Sequence, residues 1–513
     1  MLKTNILRVV SLFLVLATLG VLVIGCSKPV DNNQQSGANN GGTTQTPGGG
    51  DGGSTVLVDN VPDMNMDGYT MTILCRENVM FLQEAIAEQG TGDQVTQAIF
   101  DRNDYIEGRF NCIIDAYAVS EENESTLTTT FNKSVSAGSM DYTMALGHMM
   151  YTATECLNGT MLDLKSLPYV NVEREYWHQS MNDAVEVNNR IYFTANDFCT
   201  SSTYYTWLMV FNMEQCEERG IDVYQMVEDG TWTIDKLTEI VSANYRDNGD
   251  DIVDFEADSF GFITHYNTAL TNWVFALEVP VTTNPKDGDL TLTFGNERSV
   301  LAGEKLYDLL FESSNGAFIV QDKEIGQTFS PENPDMKITT KFGQGGTLFA
   351  ATKIFALENL RNSEVKYGIV PYPKYDTAQT NYYSHVDGRA SLLFVPYILP
   401  EIEYEWVGGL LEALACATTN KVMPVIQSAA LLGRYSEDSE AYKHLQSALD
   451  GRSYAFAYVY DMSSKSKPYW IYSKMMAAKT DSLVSVWGGH ARTGQREFRS
   501  FATKLKALHN GGK

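Results

Sequence analysis

Basic residues are scarce in this 513-residue chain: 38 Lys and Arg stand against 64 Asp and Glu, a formal net charge of −26. Nucleic-acid binding needs clustered Lys and Arg against phosphates, and adhesion to anionic lipid needs a basic face, so the composition argues against both. Cysteine is sparse too, seven in all, with no CxxC pair, and the seven histidines are scattered, which argues against zinc. Beyond residue 25 no apolar stretch reaches 18 residues without a charge; Leu392–Pro400 has core length only. The signatures GxSxG, HExxH and Walker A are missing, and no spacing pairs two carboxylates for glycoside cleavage. What is present is 43% hydrophobic and 11% aromatic, a globular composition with core enough for about three units or two large lobes.

The N-terminus reads as an export address. Met1–Arg8 is short and basic, and Val9–Gly25 is an apolar run broken only by Ser11 and Thr18, the pattern of a secretory signal. The run closes on Val23-Ile24-Gly25-Cys26, which resembles a bacterial lipobox. That resemblance implies cleavage after residue 25, diacylation of Cys26 and a body held on the outer face of the cell membrane. Removing residues 1–25 takes Lys3 and Arg8 with it and leaves 36 basic against 64 acidic residues, a net charge of −28. Ser27–Ser54 is built of Asn, Gln, Gly, Thr and Ser. Such a tether cannot bury a core; its coil has an r.m.s. reach of roughly 30 Å. The remaining six cysteines read as buried small hydrophobes, with Cys75 and Cys112 as the one pair close enough in the pattern to consider as a disulfide.

The body alternates strand and helix patterns. Thr70–Leu74, Phe110–Val119 and Tyr142–Leu146 read as strands, separated by helical patterns over Asp93–Gly108 and Leu127–Ala137. That order predicts a parallel sheet. Ligands of open α/β sheets bind at the strands' carboxyl ends. This points to Arg76-Glu77-Asn78, Ser120-Glu121-Glu122 and Gly147-His148-Met149. Further on, Thr233 reads as a helix N-cap with Leu237, Ile240 and Val241 facing inward, and Lys366–Pro371 reads as a strand.

Several stretches carry a family resemblance: Asp141–His148, Asn188–Tyr192 before Asn212, Gly220-Ile221-Asp222 with Asp229–Leu237, and Gly345–Phe349 before Tyr367–Pro373. In this order, behind a lipobox and linker, the chain is similar to family 1 extracellular solute-binding proteins, the lipoprotein component of ABC importers. The resemblance implies an α/β fold of the type II periplasmic-binding kind, two lobes with a ligand cleft at the hinge. Residues 1–25 would be the signal peptide and 26–66 the lipidated linker. One lobe would hold 67–196 and 366–423, the other 197–365 and 424–513. It implies a monomer that captures a small-molecule solute, a sugar or oligosaccharide, by lobe closure and delivers it to permease subunits, without catalysis. Two rival readings are a surface glycosidase and a binding protein feeding a signalling receptor.

Within that resemblance the expected ligand contacts are His148 after the third strand, Asn196 and Asp197 at the first crossover, Trp273 and Trp487 as stacking aromatics, and Lys353 and Arg389. Trp177 and Trp232 read as structural. No cofactor is required. The acidic loop 247–258 offers Asn248, Asp250 and Asp254 as calcium ligands in an EF-hand-like spacing, with Arg246 in place of the first Asp and Asp251 in place of the turn glycine.

Overall fold

The computed structural model describes residues 56–266, 268–284, 286, 290–320, 333–431 and 439–508; Cys26 and its tether lie outside these residues. Its first sheet begins with β1 (Tyr69–Arg76), whose inward side chains are apolar. The helix Gln94–Phe110 follows. Asp93 accepts a hydrogen bond from the Thr96 amide at 2.7 Å and caps its start. Asn111, in the left-handed region at φ 49°, ends it. Val95, Ile99, Ile106 and Phe110 form its buried face. The chain returns through β2 (Cys112–Val119), the helix Thr126–Ser136 and β3 (Met144–His148), and later contributes the short β4 (Phe193–Thr194).

It then crosses to a second sheet: β5 (Trp207–Asn212), β6 (Phe260–His265), β7 (Ala317–Val320), β8 (Thr347–Lys353) and β9 (Tyr367–Val370). A second crossover contains β10 (Ser384–His385) and leads back to β11 (Ser391–Phe394) in the first sheet. β10 pairs with β12 (Arg452–Ser453).

The two sheets share one plan. In the first, with order β2-β1-β3-β11-β4, β1 is parallel to β2 and β3, and β11 runs antiparallel between β3 and β4. In the second, with order β7-β6-β8-β5-β9, β6 is parallel to β7 and β8, and β5 runs antiparallel between β8 and β9. Each antiparallel strand is the one that has just arrived from the other sheet. β11 therefore begins at Ser391 opposite the last residue of β3, His148, and β5 begins at Trp207 opposite the last residue of β8, Lys353. Both crossovers thus attach at the carboxyl ends of the parallel strands, and these ends become the facing edges of two lobes.

This differs from the sequence-based division at β9. Residues from 366 onward were expected in the first lobe, but β9 is an edge strand of the second, and the return occurs after it. An apolar KYGIVP run has no feature that tells one sheet from another; the antiparallel pairing with β5 decides. Cys75 and Cys112 are in one sheet as expected, yet the parallel register puts Cys75 opposite Ala118 and Cys112 opposite Tyr69, so they cannot bridge. All six described cysteines are buried and unbonded. Among the described residues no helix is long and apolar enough to cross a membrane.

Candidate functional site

On the first lobe the site is built on strand ends. Arg76 closes β1 and is 2% exposed. Its guanidinium lies over the Phe81 ring at 3.3 Å and donates from Nη2 to Ser391 Oγ at 2.8 Å. Nη1 is 3.9 Å from the Glu121 carboxylate, and Nε and Nη1 have no hydrogen-bond partner among the described residues. Burial pulls its pKa down to about 10 against the attraction of Glu84 and Glu121. Ser391 passes the contact on by donating to Glu84, whose other oxygen accepts the Ser201 amide at 2.9 Å. Burial pushes the Glu84 carboxyl upward. Ser201 lies on the first crossover and Ser391 opens β11 where the second one ends, so this buried chain ties both to the end of β1.

His148 closes β3. Gly147 before it leaves no room for a side chain: a Cβ there would meet Thr152 Oγ1 at 2.5 Å and the Phe394 ring at 2.9 Å. The imidazole stands edge-on to Tyr151, with Nε2 3.9 Å from Glu124 and Nδ1 without a hydrogen-bond partner among the described residues. Burial, with Arg76 and Arg389 nearby, holds it neutral, well below the ordinary histidine pKa. Arg389, 48% exposed, spans Glu121 at 3.8 Å and Glu124 at 4.0 Å.

The second lobe presents Lys353 at the end of β8. Its ammonium lies 2.9 Å from Asp335 and 3.4 Å from Asp387, over the Trp207 ring at 4.6 Å. Burial alone would lower its pKa, but the two carboxylates more than offset that and hold it above the ordinary lysine value. Asp335 also faces His265 at the end of β6, at 3.5 Å. Asp387, on the crossover, accepts the Arg389 amide at 3.0 Å. Phe81, Tyr205 and Phe355 form a run of rings between the two edges: Phe81 and Tyr205 stack at 5.9 Å, and Tyr205 and Phe355 are 5.3 Å apart.

Of the residues expected to hold a ligand, the structure brings together His148, Arg389 and Lys353, linked through Glu121, Glu124 and Asp387. It places the other four elsewhere. Asp197 Oδ1 lies 3.2 Å from His178 Nε2 and its Oδ2 accepts from Thr419 at 2.8 Å, with Arg452 at 3.9 Å. Asn196 is fully buried and accepts the Phe198 amide at 3.1 Å. Trp273 is enclosed by Phe262 and Tyr372. Trp487, 4% exposed, packs edge-on to Phe294 and donates its indole N–H to the Phe294 carbonyl at 3.1 Å. These tryptophans fill the second lobe's interior because a large apolar ring gains more from full burial than from a solvent-facing cleft.

Arg76 and Glu121 were legible as strand-end positions. Glu84, Asp335 and Asp387 were not, because each acts through a partner distant in sequence. The rings Phe81, Tyr205 and Phe355 had only their aromatic character as a signal. Trp177 and Trp232 are fully buried, bonded to Glu412 and the Pro371 carbonyl.

The acidic loop spends its side chains on itself. Asn248 Oδ1 accepts the Asp250 amide, Asp250 Oδ1 the Ile252 amide, and Asp254 Oδ1 the Glu256 and Ala257 amides. The Asn248 side-chain amide also donates to Asp250 Oδ2 at 3.0 Å. The described residues whose His and carboxylate ligand atoms do converge, within 4.8 Å, are Glu228, Glu440 and His444, and Lys443 already lies against both glutamates.

No protein-family model and no curated protein matches the sequence. Solved structures do match the fold. M. tuberculosis UspC aligns with a TM-score of 0.54 at 9% identity, covering 83% of this chain and 100% of that one. A cyclo/maltodextrin-binding protein solved with maltotetraose aligns at 0.52 and 10% identity, covering 85% and 96%. The cyclic alpha-maltosyl-1,6-maltose binding protein from Arthrobacter globiformis aligns at 0.51 and 12% identity, covering 86% and 99%. The chain has the two-lobed α/β fold of these binding proteins.

Proposed function

We propose that the protein is a family 1 extracellular solute-binding protein: a lipoprotein, anchored through Cys26 to the outer face of the membrane, that captures a carbohydrate between its lobes as a monomer and presents it to an ABC permease. One observation carries the ligand class. Arg76 offers a buried N–H edge, with no hydrogen-bond partner among the described residues, beside the Glu121 carboxylate at the carboxyl edge of the first sheet. A sugar hydroxyl accepts from a guanidinium and donates to a carboxylate, so a vicinal diol satisfies both at once. The charges of the site are already paired, Arg389 with Glu121 and Glu124, Lys353 with Asp335 and Asp387, which suits a neutral polyol over an ion. Phe355, partly exposed, supplies apolar ring surface beside them for the C–H face of a sugar.

The fold kinship with maltodextrin-binding proteins supports this reading. The glycosidase alternative lacks support: such chemistry needs a protonated carboxyl and an ionised one flanking the bond. Here the carboxyl raised by burial, Glu84, is closed in by Ser201 and Ser391. Closure follows from the ligand's differential affinity for the state that brings the two edges together.

The test is calorimetry and thermal shift against a panel of mono- and oligosaccharides. Saturable binding without product release is expected, lost in Arg76→Ala. No shift with any carbohydrate would overturn the ligand class, and undiminished affinity in Arg76→Ala would overturn the site. Acylation is tested separately by lipid labelling of the wild type and Cys26→Ser.

A further inference from the structure

The second crossover has two sides. Along one edge of the segment 384–387 run Tyr205 and Thr206: Val386 bridges Thr206, and the Asp387 amide donates to the Tyr205 carbonyl at 3.0 Å. This is the side of Arg76 and Lys353. Along the other edge run residues 451–453: β10 pairs with β12, and the Ser384 amide donates to the Gly451 carbonyl at 2.8 Å. Beyond that second edge lies a cavity of about 770 Å³, within the range of about 300–1,000 Å³ usual for small-molecule sites.

Its walls come from both lobes. Ser180 sits on the helix Gln179–Val185, which packs on β4, and Tyr442 and Gln446 sit on the helix Ser439–Asp450, which packs on β9. The segment Thr380–Tyr383 and Arg452 complete it.

The lining has a definite chemistry. Three tyrosine rings, Tyr382, Tyr383 and Tyr442, stand among the uncharged amides of Asn381 and Gln446. The charged groups are engaged: Lys443 with Glu228, Asp450 accepting from Gln446 at 2.8 Å, and Arg452 beside Asp197 at 3.9 Å. Arg452 also donates from Nε to the Leu449 carbonyl at 2.8 Å. One donor is left over: Arg452 Nη1 is buried without a hydrogen-bond partner among the described residues. A buried N–H normally has an acceptor, and Arg452 is one of the residues that line the cavity. Flat apolar rings, neutral amides and one charge-assisted donor fit a neutral polyhydroxylated ligand better than an ion.

We propose that this cavity is a second carbohydrate site, spanning both lobes behind the crossovers and taking a short neutral saccharide whose hydroxyl accepts from Arg452. It stands independently of the cleft, since it shares no wall with Arg76, His148 or Lys353.

The test is calorimetry with maltotriose, cellobiose and raffinose on the full chain, on Arg76→Ala, on Tyr383→Ala and on the double variant, each checked for fold by circular dichroism. Tyr383 is half-buried, and Arg452→Lys provides a second probe that keeps the charge beside Asp197. Two saccharide sites per chain are expected, one lost in Arg76→Ala and the other weakened at least tenfold in Tyr383→Ala and Arg452→Lys. A single site that disappears in Arg76→Ala overturns the second site and leaves the cleft reading standing. A single site sensitive only to Tyr383→Ala upholds the cavity and overturns the cleft. Absence of binding by all the proteins to all three saccharides overturns the ligand class assigned to the cavity.

Discussion

Lys353 and Asp387 form an ion pair of 3.4 Å that joins the last residue of a second-lobe strand to the crossover returning to the first lobe. Both groups are buried, and Lys353 is the sole partner that Asp335 and Asp387 share among the described ion pairs. Replacing it with Met would leave two buried carboxylates without their cation. Breaking a buried pair in this way costs about 3–5 kcal/mol. Lys353→Met should therefore lower the urea midpoint by that equivalent at pH 7; a change under about 1 kcal/mol would show that the pair does not tie the crossover down.

Arg76→Lys is expected to weaken saccharide affinity almost as much as Arg76→Ala. The lysine keeps the charge but loses the planar Nε–Nη1 edge, and the two side chains are not interchangeable at a forked site. Calorimetry on both variants checks this. Retained affinity in the lysine variant would mean that charge alone is read there.

Three imidazoles make the fold acid-sensitive. Burial drives His178 down to about 4 and His385 to about 3, and holds His148 well below its ordinary value. An unfolded chain protonates them near 6.5, whereas the folded chain does not until the lower values are reached. Stability is therefore full above about pH 6.5 and falls as pH drops toward 4, by about 1.4 kcal/mol per pH unit for each imidazole. His385 stacks on Phe275 at 4.4 Å and meets Tyr458 edge-on, and neither ring nitrogen has a hydrogen-bond partner among the described residues. His385→Phe should then preserve stability at pH 7 and flatten the acid slope. An unaltered slope in chemical denaturation at pH 4.5–6.5 would refute that assignment.

Gly147→Ala forces a Cβ to within 2.5 Å of Thr152 Oγ1. Overpacking of this kind costs about 1–3 kcal/mol, and here it displaces the residue directly before His148. Loss of stability together with loss of saccharide affinity is expected from melting curves and calorimetry; a variant with both unchanged would contradict the packing described.

Trp487→Ala separates core from cleft. Removing this buried indole should destabilise the protein by about 3–5 kcal/mol while leaving affinity per folded molecule intact. Weakened affinity at temperatures where the variant is fully folded would return Trp487 to the ligand site.

Much of the first lobe was readable in advance because its patterns are local. The TMTIL run, the capped helix after Asp93 and the strand ending at Gly147 depend on neighbours within a few residues, and they pointed to Arg76, Glu121 and His148 as strand ends. Thr233 caps its helix as expected, accepting the Lys236 amide at 3.3 Å, with Leu237, Ile240 and Val241 inside. Asn196, Asp197, Trp273 and Trp487 were placed by family likeness, which carries no information about which side chains this chain buries. Asp197 was read as a ligand acceptor, but a histidine nineteen residues earlier and a threonine on a distant helix take up its oxygens.

By itself, then, the sequence determined the alternation of strands and helices and the strand ends that carry Arg76 and His148, which follow from hydrophobic period and capping acting over one or two turns of chain; the two-lobed plan was read from family resemblance. Only the tertiary structure decided which aromatics are core and which line the cleft, that β9 belongs to the second sheet, that Cys75 and Cys112 lie apart, and that Lys353 is shared by Asp335 and Asp387. Each depends on strand register or on burial between segments far apart in sequence, where an ion pair or a ring contact is set by which surfaces the two sheets press together.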